Sequence, residues 1–195
     1  MFINILLLFI NNFTIFDITT SQIFDMRFFG PKSISHFFFY FFRLLAIGTA
    51  LFVIYIDAAF LTGNFETYNG RYKMDIPLTG TFIQGDYQLN VIITISIGLL
   101  FGTVFFYMLS SIFHAFKAKV LFTKSAVSLL KYFALLNLVA GPVIYVLIHF
   151  VIMQKTNFRD IHNLILHLLI GIVALFVAEV FKKGFFVQQE NDLTI

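Results

Sequence analysis

The sequence predicts an all-α integral membrane protein: a four-helix transmembrane bundle with a small extracytoplasmic β-hairpin between helices one and two. Three observations predict it. Of the 195 residues, 59% are hydrophobic and only 12% charged, where a typical soluble domain carries about a quarter charged residues. Mean hydropathy is +0.91. Four separate stretches each carry about 20 or more mostly apolar residues, the length that crosses the hydrocarbon core of a bilayer. None of the four has the polar face that a long helix in a soluble protein needs, and the 29 phenylalanines suit a lipid-facing surface.

Residues 1–25 stand apart from the rest. Met1 to Ile10 is apolar but too short to span, Asn11 and Asn12 end it, and no basic residue appears before Arg27. It therefore lacks the charged leading region of a signal peptide. It is read either as upstream of a physiological start at Met26 or as an interfacial segment. The four-span membrane domain follows over residues 26–184, and residues 185–195 form a cytoplasmic C-terminal tail.

The first span covers residues 37–61, with Arg43 near its start and Asp57 near its end. The second covers residues 91–113, the third 132–153 and the fourth 161–181. β-branched runs such as Val91-Ile92-Ile93-Thr94-Ile95 would suggest strand in water. In hydrocarbon each backbone group must be satisfied within its own segment, so every span is read as a helix. Thr123 has the chemistry of an N-cap for a helix that leads into span three, with Ala126, Val127 and Leu130 on its apolar side.

Between spans one and two, Asn69-Gly70 is a strong two-residue hairpin signal, because both residues accept positive φ. Phe65 to Tyr68 leads into the turn and Arg71 to Ile76 leaves it with alternating character. Pro77 ends that strand, and Gly80 and Gly85 mark further turns on the way back to the membrane. A lone hairpin is marginal in water, so this one is expected to rest on the bundle or on a partner.

Basic residues orient the chain. Arg27, Lys32 and Arg43 lie before or within the start of span one. Lys117, Lys119, Lys124 and Lys131 crowd the connection between spans two and three, and Lys182 and Lys183 follow span four. The other side has Arg71, Lys73, Lys155 and Arg159. The positive-inside rule places both termini and the lysine-rich connection in the cytoplasm, in a multi-pass plasma (inner) membrane protein.

Three stretches carry a family resemblance. They are Phe29-Gly30-Pro31-Lys32-Ser33, then Phe122-Thr123-Lys124-Ser125-Ala126-Val127, and the end of the chain. That end runs Ala178-Glu179-Val180-Phe181-Lys182-Lys183-Gly184, then Gln189-Glu190-Asn191-Asp192-Leu193-Thr194-Ile195. Over roughly residues 27–195 the chain resembles a bacterial membrane family designated domain of unknown function 2975. The resemblance implies four inner-membrane spans with an outer loop after the first. It also implies a pairing with a cytoplasmic helix-turn-helix regulator, since such a gene often lies beside family members. It brings no catalytic residues.

Polar residues inside apolar spans need a partner or a purpose. Asp57, His149 and His162 all fall near the outer ends of their helices, with His167 slightly deeper. They are read as a cluster that binds a divalent cation or senses protons, or as interfacial groups bonded to headgroups and neighbouring helices. The absence of a paired-ligand spacing such as His-x-x-x-His favours the second reading. At the inner side, Arg43 and Glu179 sit at similar depth and suggest an interhelical pair. The alternative has Arg43 reaching for phosphate and Glu179 paired with Lys182 or Lys183.

Small residues suggest packing faces. Thr94, Gly98 and Gly102 form a stripe on span two, suited to packing within the chain or to a homo-oligomer. Gly171, Ala174 and Ala178 do the same on span four. Asn137, Gly141, Tyr145 and His149 recur every four residues on span three and are expected to face the bundle. Pro142 removes the bond to the Leu138 carbonyl and should kink that helix, as a shape feature or as a hinge.

With no cysteine, thiol chemistry and Cys-ligated metals are excluded. No nucleophile–base pair, phosphate loop or paired carboxylates point to an enzyme, no cofactor is expected, and no basic patch points to direct nucleic-acid contact. The functions left are a small membrane sensor or regulatory partner, an oligomeric transporter or channel component, and a passive scaffold.

Overall fold

The computed structural model of the protein describes residues 28–77, 79–158 and 161–192. Segment 1–25, and Leu193 and Thr194 of the terminal motif, lie outside the described residues. Four helices are long and apolar enough to cross a membrane: α1 (Ile34–Thr62), α2 (Leu89–Phe116), α3 (Lys124–Ile152) and α4 (Ile161 to Asp192). α1, α2 and α4 contain their expected spans, and α3 starts eight residues before its span and ends one residue short of it, at Ile152. The chain is a multi-pass membrane protein.

α1 packs along α2, α2 along α3, and α3 along α4; the largest interface is that between α1 and α2. A buried cluster of Ile112, Ala126, Leu130, Phe133, Ala134, Ala174, Ala178 and Phe181 joins α2, α3 and α4 at the end of the bundle that carries the lysines. Gly30 N–H donates to Phe116 O at 3.0 Å, so the segment leading into α1 sits at that same lysine end.

Between α1 and α2 lies a three-stranded antiparallel sheet, β1 (Glu66–Tyr68), β2 (Arg71–Ile76) and β3 (Thr81–Asp86), ordered β1-β2-β3. Asn69 (φ 48°) and Gly70 (φ 72°) make the turn foreseen between β1 and β2. The expected hairpin gains a third strand, and Gly85 is a strand residue and not a turn. It faces Tyr72 in register, and a Cβ there would lie 2.9 Å from the Tyr72 ring. The missing side chain is what lets a tyrosine lie flat across β3. Tyr72 and Met74 are buried with Ala59, and Phe60, Phe65, Tyr55 and Ile83 pack around them, so the sheet rests on the end of α1.

α3 is not uniform. Thr123 Oγ1 accepts from Ala126 N–H at 3.1 Å, which caps the helix as its sequence promised. The winding then widens to π-helix over Leu136–Ala140, returns to α over Gly141–Val146, and widens again over Leu147–Ile152. Gly141 N–H reaches back to Leu136 O, five residues earlier. The ring of Pro142 would press on the carbonyl four residues before it in a regular helix, and a wider turn relieves that contact. Pro142 is thus accommodated by a π segment rather than marked simply by a lost bond.

α4 runs on past the fourth span: residues 185–192 continue the same helix. At about 1.5 Å per residue, its 32 residues span about 48 Å, against about 30 Å of hydrocarbon.

Candidate functional site

Asn137 is fully enclosed in the first π segment of α3, as buried as Ser110 of α2. Its Nδ2 donates to Phe133 O at 2.8 Å, one turn back. That fixes the amide orientation and turns Oδ1 toward His167 Nδ1 on α4, 2.8 Å away. Oδ1 only accepts, so His167 Nδ1 carries a proton, and in the neutral ring Nε2 is the free acceptor. Phe101 and Phe105 of α2 set their rings nearly perpendicular to the imidazole, with centroids 5.1 and 5.8 Å away. A Cβ on Gly141 would lie 3.4 Å from His167 Cβ, and one on Gly171 would lie 2.6 Å from Leu138. Small residues therefore let α3 and α4 approach closely enough for a short asparagine to reach a histidine across the interface.

The outer trio, weighed as a cation or proton site against the favoured interfacial reading, is not assembled as a three-ligand group among the described residues. Asp57 accepts from Ser96 Oγ at 2.5 Å. His149 is buried in the second π segment, where its ring stacks on Tyr145 and its Nε2 meets Asn157 O. His162 is exposed on the first turn of α4. No group of three His, Asp or Glu side chains able to hold a metal ion occurs among the described residues. The physical reason is the helix order: α2 occupies the face of α1 on which Asp57 lies.

The Arg43–Glu179 pair is likewise not formed. Arg43 Nε donates to Ser110 Oγ at 3.1 Å, and its guanidinium lies over Tyr107, 4.5 Å from the ring centre. Glu179 pairs with Lys131 at 3.3 Å and with Lys182 at 3.5 Å. α1 packs on α2 and α4 on α3, so matching depth did not bring the two charges together. Sequence reasoning missed a ladder across α1 and α2: Asp57–Ser96, Thr49–Thr103 at 3.1 Å, and Arg43–Ser110. The signal was present, because Ser96, Thr103 and Ser110 recur at seven-residue intervals and so share one helix face.

The glycine stripe of α2 behaves differently from that of α4. A Cβ on Gly98 or Gly102 would meet nothing within 4 Å. Neither glycine serves a close approach among the described residues.

At the lysine end, the three motif stretches converge. Phe29 packs edge-on to Phe116, Phe116 stacks on Phe181 at 5.0 Å, and Phe122 meets Phe181 at 5.2 Å. A Cβ on Gly184 would strike the Phe122 ring at 2.6 Å, so glycine is required for α4 to pass through this collar. Beyond it, Glu190 is exposed near the end of α4. At the opposite end a cavity of about 450 Å³ lies between α1 and the sheet, lined by Tyr55, Asn64, Phe65, Glu66, Lys73 and Asp75.

Residues 33–195 match the family described as "Protein of unknown function (DUF2975)". The chain belongs to this DUF2975 family. The match takes in all four spans, the sheet, the Asn137–His167 pair and most of the collar, starting a few residues later than the resemblance suggested. No curated protein and no solved structure matches the chain. The family's description carries no activity, so the geometry of the DUF2975 chain is the guide to its role.

Proposed function

We propose that this protein is a small membrane sensor or regulatory partner, set in a plasma membrane with both termini in the cytoplasm, that reports to a cytoplasmic effector such as a helix-turn-helix regulator. The observation that carries the reading is the continuity of α4. One unbroken helix runs from beside the sheet end, past the buried His167–Asn137 contact, through the Phe116–Phe122–Phe181 collar, to Asp192. A helix is stiff on this scale, so a shift where α3 and α4 meet moves its protruding end. The polar cavity beside the sheet is the candidate point of detection. The positive-inside asymmetry supports the orientation. The reading is non-enzymatic.

Affinity purification from native membranes tests it, using the full chain and a chain ending at Lys183. Recovery of a soluble regulator with the full chain, lost on truncation, is the expected result. Equal recovery with both chains would remove α4's end from the mechanism.

The π segments flanking Pro142 favour a second reading, a transporter subunit that hinges in α3. Solute flux in proteoliposomes, abolished by Pro142→Ala, would select it over the regulatory one.

A further inference from the structure

Among the described residues, no carboxylate forms an ion pair with Arg43 or Lys117, the cations at the lysine ends of α1 and α2. Arg43 has Ser110 as its hydrogen-bond partner and Phe39 and Tyr107 as ring partners, and no carboxylate lies within ion-pair distance of it among the described residues. Lys117 Nζ sits 3.8 Å from the centre of the same Phe39 ring. One aromatic ring therefore serves two positive charges. No Asp or Glu occurs from Phe28 to Ile56 or from Tyr87 to Phe158. Glu179 on α4 is engaged by Lys131 and Lys182.

Next to Arg43 a cavity of about 400 Å³ opens between the two helices. Ala46, Ile47 and Ala50 wall it on α1, and Val104 and Tyr107 wall it on α2. Its walls are apolar and it is open on one side. Arg43 precedes the alanines by one to two turns, so it stands at the lysine end of the groove.

Arg43 is half-buried, and a cation within an apolar span requires an anion or an escape to water. Two cations at one end of an apolar groove match a molecule with a negative head and a hydrocarbon tail. The geometry points to a binding site for one anionic phospholipid, its phosphate against Arg43 and Lys117 and one acyl chain along Ala46 and Ala50. Guanidinium suits the phosphate because it presents several donors in a fixed plane, and Nε on Ser110 leaves the two terminal nitrogens for it. Phe39 and Tyr107 hold the cations in place through their ring faces. The alanines matter by their size, since longer side chains would fill the groove. This site is independent of the regulatory reading above.

Native mass spectrometry of the full chain in detergent, with phosphatidylglycerol and phosphatidylcholine of identical chains, tests the site. The protein should retain phosphatidylglycerol in preference. Arg43→Gln and Lys117→Gln should each lower that preference roughly fivefold, the effect of one cation near a charged headgroup. Lys155→Gln, at the other end of the molecule, should leave it unchanged. Ala50→Leu keeps both cations and should lower retention by filling the groove. Lys117→Gln, on a half-exposed residue at the helix end, provides the variant least able to disturb folding. Equal retention of the two lipids, or unchanged preference in both cation variants, would overturn the proposal. So would thermal protection by inorganic phosphate equal to that by phosphatidylglycerol, which would make the cations an anion site without a chain groove.

Discussion

His167 Nδ1 and Asn137 Oδ1 lie 2.8 Å apart, joining α4 to the π segment of α3 inside the apolar part of the bundle. Neither residue has water to fall back on there, so each depends on the other. Asn137→Leu strands a histidine and His167→Leu strands an amide. Each single change should cost about 1–3 kcal/mol, read as a lower unfolding temperature in detergent. The double change should cost less than the sum, with a coupling of about 0.6–1.7 kcal/mol. Strict additivity would show that the pair contributes nothing as a pair.

The two glycine stripes should separate cleanly. Gly171→Ala drives a methyl group against Leu138, and overpacking of this kind costs about 1–3 kcal/mol. Adding Leu138→Ala should restore part of the loss. Gly98→Ala and Gly102→Ala meet open space and should be neutral or stabilising by up to about 1 kcal/mol. Thermal unfolding of the four variants in one detergent is the check, and a large loss at Gly98 would reveal a contact with a second molecule.

Charge reversal distinguishes the observed ion pairs of Glu179, one of them the Lys182 alternative, from the Arg43 pairing weighed beside it. Lys131→Glu combined with Glu179→Lys should recover wild-type expression and monodispersity. Arg43→Glu combined with Glu179→Arg should not, because Arg43 is held by Ser110 on α2 and Glu179 by Lys131 on α3. Size-exclusion profiles of the singles and doubles decide between them.

Burial pushes the Tyr72 phenol above the ordinary tyrosine range. The folded sheet favours the neutral form, so this stabilising contribution is complete below the unfolded tyrosine value of about 10 and is lost as pH rises past it. In an ultraviolet titration of the folded protein, Tyr72 should ionise above the ordinary tyrosine range, and Tyr72→Phe should remove a late component. Gly85→Val should abolish the same delay by expelling the ring from its place over β3.

Much of the fold was legible along the chain. The spans follow from length and hydropathy, the Asn69-Gly70 turn from the tolerance of both residues for positive φ, and the Thr123 cap from a hydroxyl placed just before an apolar periodic run. β3 escaped because Thr81 to Asp86 is short and broken by Gly85, and its pairing depends on Tyr72 across the sheet. The polar ladder of Ser96, Thr103 and Ser110 was legible as spacing and went unread because each residue alone is unremarkable in a membrane helix.

The sequence by itself determined that this protein has four apolar helices, a polar excursion between the first two, and a lysine-rich end. Those features are one-dimensional, set by what hydrocarbon excludes and what backbone geometry allows. Only the tertiary structure decided which polar groups meet. Depth in the membrane can be counted along a helix, but azimuth and neighbour cannot. So Asp57 went to Ser96 and not to the histidines, Arg43 to Ser110 and not to Glu179, and Asn137 to His167 through a turn of π-helix ahead of a proline.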